Sequence, residues 1–267
     1  MSYNCFIRGS FWPIQCIQNP AGFISELAVV IQFGIPDGFK VGISGCFDQN
    51  MHSCPLCLSL DSQPFHTDRQ RDYHHCRNCW LVFVETAQHL PLSAEKAIYD
   101  LHQNAVDDAG YRSFLSRLAA PLLQRLPANS LGLDYGCGPG PALAGLFRAQ
   151  GHRVNLYDPF YADFPEHLQQ AYDFISCTEV VEHLRQPRPA FDVLFDLLKP
   201  GGWLGIMTKL VIDAEAFSKW HYKNDQTHIA FFSQATFNWL ATHYDCQIEF
   251  IGQDVIILQR NFAHCSD

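Results

Sequence analysis

The most informative stretch of the sequence reads Leu131-Gly132-Leu133-Asp134-Tyr135-Gly136-Cys137-Gly138-Pro139-Gly140. Its first half predicts a buried strand that ends in an acid, and its second half predicts a glycine-rich turn. Glycine permits the backbone angles of such a turn and lets a ligand approach the backbone closely. Residues 141–150 then predict a helix, which Gly151 is placed to cap. The glycines form a GxGxG pattern, which differs from the GxGxxG of dinucleotide-binding folds and from a P-loop.

Apolar runs alternate with helical patterns from about residue 130 onwards, which indicates an α/β architecture. Further strands are predicted at residues 153–157, 174–177, 203–208, 247–251 and 255–258. Helices are predicted at residues 180–184, at residues 189–198 and, after a Ser233 cap, through His243. The second strand ends at Asp158, and the last two strands form a predicted hairpin.

Four segments in this order resemble the motifs of class I S-adenosylmethionine-dependent methyltransferases. They are the glycine loop, Asp158, residues 172–179 and residues 198–204. The resemblance covers residues 130–260 and implies a doubly wound, seven-stranded, mostly parallel sheet that binds S-adenosylmethionine. Asp158 would accept hydrogen bonds from the ribose hydroxyls of that cofactor. The residues that the resemblance places at the cofactor are Asp134, Tyr135, Gly136, Cys137, Gly138, Gly140, Asp158, Pro159, Cys177, Thr178 and Glu179.

One interval departs from the family pattern. Only about 14 residues separate Asp158 from Asp173. The family usually fits a helix and a third strand into this interval, so the region is predicted to be shortened.

Paired cysteines mark residues 51–90, where helical patterning is weak. Two Cys-x-x-Cys pairs, with 18 residues between them, are formed by Cys54, Cys57, Cys76 and Cys79. This spacing is typical of a structural zinc site, because two such turns can complete a tetrahedron of thiolates. We expect a zinc ribbon with a structural or substrate-presenting role; four ordinary thiols are the alternative. Residues 73–83 resemble the amino-terminal ribbon that a bacterial subset of class I methyltransferases carries.

Candidate catalytic groups follow the predicted fifth strand. Residues 220–233 interleave aromatic, imidazole and hydroxyl side chains, and the resemblance places the acceptor pocket there. His221 or His228 is predicted to take a proton from an acceptor hydroxyl, since imidazole titrates near neutrality. The alternative is that these histidines only cap or pack.

The group formed by Glu179, Glu182 and His183 has two interpretations. Glu179, Glu182 and His183 are spaced to share one face of a helix. Two carboxylates and an imidazole can hold a divalent metal. Otherwise Glu179 lies near the methionine end of the cofactor and His183 packs at the sheet edge.

The segments before the α/β region are predicted from composition and periodicity. Residues 1–50 form an atypical extension with few charges. Either Met51 is the natural start, or these residues are a small extra subdomain or lid. Residues 91–129 predict a helical connector or lid that begins with a Ser93 cap. In the family, the corresponding segment often folds over the cofactor, and here it carries Tyr99, His102, Asn104 and Tyr111.

The overall composition restricts the classes of partner. The chain has 267 residues and a formal net charge of −9, which argues against a general nucleic-acid coat and suits a cationic ligand. No stretch has the length and apolarity of a bilayer span, and no basic export segment is evident. The eleven cysteines therefore favour metal ligation over disulfides. A cytoplasmic protein without a membrane partner is expected.

The expected function is methyl transfer to a small hydroxylated metabolite, a sugar or a quinone-like ring. One alternative is an acceptor on a macromolecule, either RNA or protein. A second is a non-catalytic binding module with the same fold. An NAD-linked oxidoreductase is disfavoured by Pro141 and by the missing third glycine of the dinucleotide fingerprint.

Overall fold

The structure, a computed structural model, describes residues 53–101 and 108–262, together with the backbone of two strands nearer the amino terminus. The chain divides into two units, residues 1–51 and 52–267. In the first unit, β1 (Ser2–Ile7) and β2 (Ser10–Gln15) pair as an antiparallel hairpin. The predicted start at Met51 and the candidate lid residues His102 and Asn104 lie outside the described residues.

The second unit contains the predicted zinc ribbon and the α/β region. Its strands are β3 (Ser62–Thr67), β4 (Asp72–Cys76), β5 (Val82–Val84), β6 (Leu131–Tyr135), β7 (Arg153–Tyr157), β8 (Tyr172–Thr178), β9 (Leu198–Met207), β10 (Ala230–Phe231), β11 (Cys246–Ile251) and β12 (Val255–Arg260). Its α-helices are α1 (Leu92–Tyr99), α2 (Ala109–Leu123), α3 (Ala142–Ala149), α4 (Pro187–Leu197), α5 (Ala214–Ser218) and α6 (Gln234–His243). No helix formed by these described residues is both long and apolar enough to cross a membrane.

The central sheet confirms the predicted α/β class. Its order is β11-β12-β9-β8-β6-β7, and β7, β6, β8 and β9 run parallel. The described residues give this sheet six strands, one fewer than predicted. The missing strand falls in the shortened interval, where the chain forms only a bridge from Asp158 to Ala162 and a 3-10 turn at Pro165–Gln169.

Helices cover both faces of the sheet. Along β12, side chains alternate between two buried clusters, with Val255 and Ile257 in one and Ile256 and Leu258 in the other. Because successive strand residues point to opposite faces, the two clusters lie on the two sides of the sheet. The first cluster holds apolar residues of α2 and α3, and the second holds residues of α4 and α6. The fold is therefore doubly wound, as expected.

Several local predictions are confirmed. Ser233 caps α6 in a capping box with Thr236, which satisfies backbone donors of the first turn. Gly151 follows α3 with a φ of 84°, a left-handed conformation that favours glycine. The predicted cap at Ser93 is wrong: α1 is preceded by Pro91, and no side chain caps it.

The ribbon forms a second sheet with the order β10-β5-β4-β3. Three of its strands come from the cysteine segment, and the fourth comes from residues 230–231. In this sheet Ala230 pairs with Phe83, and Phe231 pairs with Val82. The segment predicted to build the acceptor pocket is thus continuous with a strand of the ribbon sheet.

Candidate active site

A cavity of about 560 Å³ opens at the carboxyl ends of β6, β7 and β8. In a parallel sheet this edge is the usual place for a ligand. The residues lining the cavity are Glu95, Tyr99, Tyr111, Phe114, Tyr135, Gly136, Cys137, Gly138, Pro139, Gly140, Asp158, Pro159, Phe160, Tyr161, Thr178, Glu179, Val180, His183, Leu184, Asp225 and His228. Of the predicted cofactor residues, only Asp134 and Cys177 are not in this lining.

The glycine loop forms one wall of the cavity. Gly136 and Gly138 have φ values of 73° and 63°, so both use the left-handed region. A Cβ built on Gly136 would lie 2.4 Å from a methyl carbon of Val180, whereas a Cβ on Gly138 would meet nothing within 4 Å. The backbone at Gly138 thus faces open space. These features suit a nucleoside cofactor that rests against the backbone of the loop.

Asp158 stabilises the glycine loop through hydrogen bonds to backbone N–H groups. Its carboxylate accepts hydrogen bonds from the backbone N–H groups of Gly138 (3.0 Å), Phe160 (2.8 Å) and Tyr161 (3.1 Å). The residue is 7% exposed. A carboxylate has about four lone-pair positions, so three backbone bonds leave about one for a ligand hydroxyl. Asp158 therefore supports the loop, and its remaining position suits one ribose hydroxyl.

Asp134 and Cys177 are buried and are not part of the cavity lining. Asp134 accepts a hydrogen bond from the Ser176 hydroxyl at 2.9 Å. Burial raises the pKa of Asp134 to about 6. Cys177 is fully buried in the core. Both residues were predicted to bind the cofactor. The structure instead buries them in the interior, outside the cavity lining.

Glu179 lines the end of the cavity next to β8, and the buried Glu182 lies close to it but is not part of the lining. The Tyr222 hydroxyl donates a hydrogen bond to Glu182 and lies 3.3 Å from Oε2 of Glu179. Glu182 also accepts from the Thr208 hydroxyl at 3.0 Å and is completely buried. Burial raises the pKa of both glutamates, and the neighbouring charge of Glu182 raises the pKa of Glu179 further. Glu179 and Glu182 therefore form a carboxyl pair, of which only Glu179 lines the cavity and would favour a cation there.

His228 lies beside this pair with its tautomer fixed. Its Nδ1 is 2.7 Å from the Tyr222 carbonyl oxygen, so Nδ1 donates and Nε2 carries the lone pair of a neutral ring. Burial, followed by the charge of His183, lowers the pKa of His228 to about 4. The Asp225 carboxylate is 3.8 Å from Nε2. This is not an ion pair at neutral pH, because the lowered pKa keeps the imidazole uncharged.

The structure modifies the predicted acidic group. Glu179 has a φ of 51°, and the helix predicted at residues 180–184 is a 3-10 turn at Val181–His183. The ligand atoms of Glu182, His183 and His228 lie within 4.8 Å of one another, an arrangement that can hold a cation. The observed group therefore includes His228 in place of Glu179, which was predicted to belong to it.

The two candidate bases are separated by the fold. His221 is exposed, outside the cavity lining, and its Nε2 lies 3.3 Å from Nζ of Lys209. His228 lies in the lining. The sequence analysis did not assign Tyr222 or Asp225 a role, although both belong to the polar-aromatic stretch that it singled out. Tyr99 and Tyr111 of the predicted connector or lid line the cavity.

The four predicted zinc ligands come together in the ribbon. The Sγ atoms of Cys54 and Cys79 lie 3.4 Å apart, as do those of Cys57 and Cys76. All four sulfurs are within 4.8 Å of one another. A tetrahedral zinc ion with Zn–S bonds of about 2.3 Å has sulfurs about 3.8 Å apart. The sulfur positions therefore fit this ion.

The backbone supports the same interpretation, because the two cysteine turns match. The N–H of Leu58 donates to the Cys54 carbonyl at 2.9 Å, and the N–H of Trp80 donates to the Cys76 carbonyl at 3.0 Å. Leu58 and Trp80 have φ values of 63° and 58°. Each turn thus bends sharply after its second cysteine and presents two thiols to the same point.

Comparison with known proteins agrees with this architecture. A family model described as a methyltransferase domain matches residues 108–249, more than half of the chain. The chain therefore belongs to this methyltransferase family. It is an S-adenosylmethionine-dependent methyltransferase.

Solved structures of other proteins are similar to this chain at low sequence identity. One is an O-methyltransferase family protein from Burkholderia thailandensis, with 16% identity, a TM-score of 0.44 and coverage of 64% of each chain. Another is the 1,6-didemethyltoxoflavin-N1-methyltransferase of the same organism, solved with its substrate and S-adenosylhomocysteine. It has 14% identity, a TM-score of 0.45 and coverage of 75% of this chain and 99% of that chain. A search of curated proteins found no matching sequence.

Proposed function

We propose that the protein methylates a small hydroxylated molecule in the cavity, with His228 as the general base. The observation that carries this proposal is that one cavity joins the glycine loop to the imidazole of His228. The cavity must accommodate a cofactor as well as the acceptor, and its volume of about 560 Å³ leaves room for a small acceptor. A hydroxylated metabolite, a sugar or a quinone-like ring would suit the polar-aromatic wall.

Each wall has a separate task in this proposal. Bound S-adenosylmethionine supplies a methyl group that its positive sulfur already activates. The backbone of the glycine loop and Asp158 would hold the nucleoside portion of the cofactor. Glu179 would attract its positive charge, because a buried carboxyl group interacts strongly with a nearby cation. Alignment of two bound reactants can contribute roughly 7 to 11 kcal/mol to catalysis.

His228 is suited to remove the acceptor proton. Its Nδ1–H is held by the Tyr222 carbonyl, so a proton from the acceptor would be taken up at Nε2. The lowered pKa keeps the ring unprotonated at neutral pH, and it also makes the ring a weaker base than a histidine with a pKa near 7. A general base typically contributes about 10²- to 10⁴-fold to turnover, and a base with a lowered pKa is expected at the lower end of that range.

A matched pair of histidine variants tests this assignment. His228→Ala should reduce methyl transfer from labelled S-adenosylmethionine into cell-extract metabolites by about 10²-fold or more. His221→Ala should retain transfer, because His221 lies outside the lining. Both variants should bind S-adenosylhomocysteine like the wild type. Undiminished transfer by His228→Ala would contradict the assignment, and label found in RNA or protein would favour the macromolecular acceptor.

The ribbon is proposed to hold one structural zinc ion through Cys54, Cys57, Cys76 and Cys79. The support is the convergence of four sulfurs on two matching turns. Three of the four cysteines are buried, and thiols gathered in this way are more stable around a metal than alone. Zinc would then contribute folding free energy to a small sheet.

A further inference from the structure

The guanidinium group of Arg71 binds the backbone of the acceptor loop, which we define as residues 221–229. Arg71 is 5% exposed and lies in the turn between β3 and β4 of the ribbon. Its Nη1 donates to the carbonyl oxygens of His228 (2.8 Å) and Gln226 (3.1 Å). Its Nη2 donates to those of Asp225 (3.0 Å) and Lys223. One ribbon side chain thus holds four carbonyl groups within six residues of the acceptor loop.

This contact determines where His228 lies. Arg71 holds the carbonyl group of His228, while the ring of His228 donates to the carbonyl of Tyr222 at the other end of the same loop. The loop has little regular structure of its own, with one 3-10 turn at His221–Asn224 and a bond from Thr227 N–H to the Asp225 side chain at 2.8 Å. The position of the imidazole therefore depends on a residue outside the α/β domain.

The end of the loop is attached to the ribbon as well. The N–H of Val84, in β5, donates to the carbonyl of Ile229 at 2.9 Å. The N–H of Ile229 donates to the carbonyl of Glu182 at 2.9 Å. Ile229 thus connects the ribbon sheet to the backbone of Glu182 in the α/β region. The ribbon holds the acceptor loop at its middle and at its end.

Only arginine can make the contact at the middle of the loop. A guanidinium group presents a planar set of donors with fixed directions, whereas an ammonium group is a compact charge with three rotating donors. Four carbonyl groups arranged around two terminal nitrogens need the planar set. The ring of Tyr73 lies 5.5 Å from the guanidinium carbon and further limits its movement.

We propose that Arg71 is a positioning residue, through which the ribbon holds His228 and Asp225 against the acceptor while leaving the cofactor side of the cavity unaffected. The proposal rests on the proposed function, because it gives His228 a role towards the acceptor. It assigns the ribbon a part in the acceptor site, beyond stabilising its own fold.

The test compares Arg71→Ala and Arg71→Lys with Arg69→Ala in the full chain. Arg69 is exposed and two residues away, so its removal changes the net charge equally. Hydrogen exchange at the amides of Thr227 and His228 should accelerate about tenfold or more in both Arg71 variants and should not change in Arg69→Ala. The Lys variant should behave like the Ala variant, because charge without the planar donors does not hold the loop.

Two further measurements separate positioning from general stability. In ¹⁵N spectra at one fixed pH, His228 should show a single Nδ1–H tautomer in the wild type and a mixture in the Arg71 variants. Affinity for S-adenosylhomocysteine should stay within about threefold of the wild type, because the glycine loop is not touched. Wild-type exchange and tautomer in a folded Arg71→Lys protein would overturn the proposal, and so would a parallel loss of S-adenosylhomocysteine affinity.

The outcomes also distinguish this proposal from the proposed function. The exchange and tautomer measurements report on the loop without requiring an acceptor. If Arg71→Ala does not fold, Arg71→Lys carries the same test. Undiminished transfer by His228→Ala would contradict the proposed base and leave the loop measurements unchanged.

Discussion

Replacing Asp158 with alanine tests whether this carboxylate supports the cofactor loop as well as the cofactor. Its three backbone hydrogen bonds, from Gly138, Phe160 and Tyr161, are 2.8 to 3.1 Å long. Hydrogen bonds to a charged group contribute about 1.5 to 3 kcal/mol each, and bonds that share one carboxylate are not additive. At 7% exposure, water replaces the side chain poorly. We expect Asp158→Ala to lower the free energy of unfolding by about 3 kcal/mol.

Urea unfolding without ligand measures this loss directly. A loss of this size should lower the urea midpoint by about 1 M or more. The urea midpoint of Asp158→Asn should lie between those of the wild type and Asp158→Ala. Its amide oxygen can still accept two hydrogen bonds, while its NH₂ group faces the N–H of Gly138. Asp163→Asn is the control, since Asp163 is exposed a few residues away. An Asp158→Ala midpoint equal to that of the wild type would refute the reasoning.

Ligand affinity then separates the two roles of the carboxylate. About one lone-pair position remains for a ribose hydroxyl, and one charge-assisted bond is worth about tenfold in affinity. Titration of folded Asp158→Asn with S-adenosylhomocysteine should show a loss of about this size. A wild-type affinity together with reduced stability would show that Asp158 acts only on the loop.

Two further results are expected. Purified protein should contain about one zinc ion per chain, and Cys57→Ser should lower this content. Cys246→Ser is the control, because Cys246 is a half-buried cysteine outside the cluster, and it should leave the zinc content unchanged. Metal-free wild-type protein would contradict the ribbon assignment. Binding of S-adenosylmethionine near neutral pH should release more protons than binding of S-adenosylhomocysteine, whose sulfur is uncharged, because the sulfonium cation lowers the raised pKa values of Glu179 and Glu182. Calorimetry in buffers of different ionisation enthalpy measures this difference, and equal release for the two ligands would contradict it.

The sequence predicted features whose causes are local. The glycine loop, the Ser233 cap and the Gly151 cap depend on a few consecutive residues, and all three occur in the structure. The cysteine spacing likewise predicted a convergence that the structure shows. The number of strands was overestimated because the family pattern was extended across an interval too short for it.

The side chains of the site could not be assigned from spacing. Glu179 was expected to share a helix face with Glu182 and His183, but its left-handed backbone interrupts that periodicity. His221 and His228 appeared equivalent in sequence, and a 3-10 turn followed by an irregular loop sends only His228 into the cavity. These outcomes depend on contacts between segments that are distant in the chain, which a periodic pattern does not report.

Burial has opposite effects on the pKa of His228 and on the pKa values of Glu179 and Glu182. It lowers the pKa of His228, so the ring stays neutral, and it raises the pKa values of Glu179 and Glu182, so that their negative charge is costly without a nearby cation. A positively charged ligand would therefore gain more here than at the surface. Protonation of His228 would add a positive charge beside the same carboxyl pair. Under the proposed function, Glu179 would favour the positively charged cofactor, and the neutral Nε2 of His228 would be available to the proton of the acceptor.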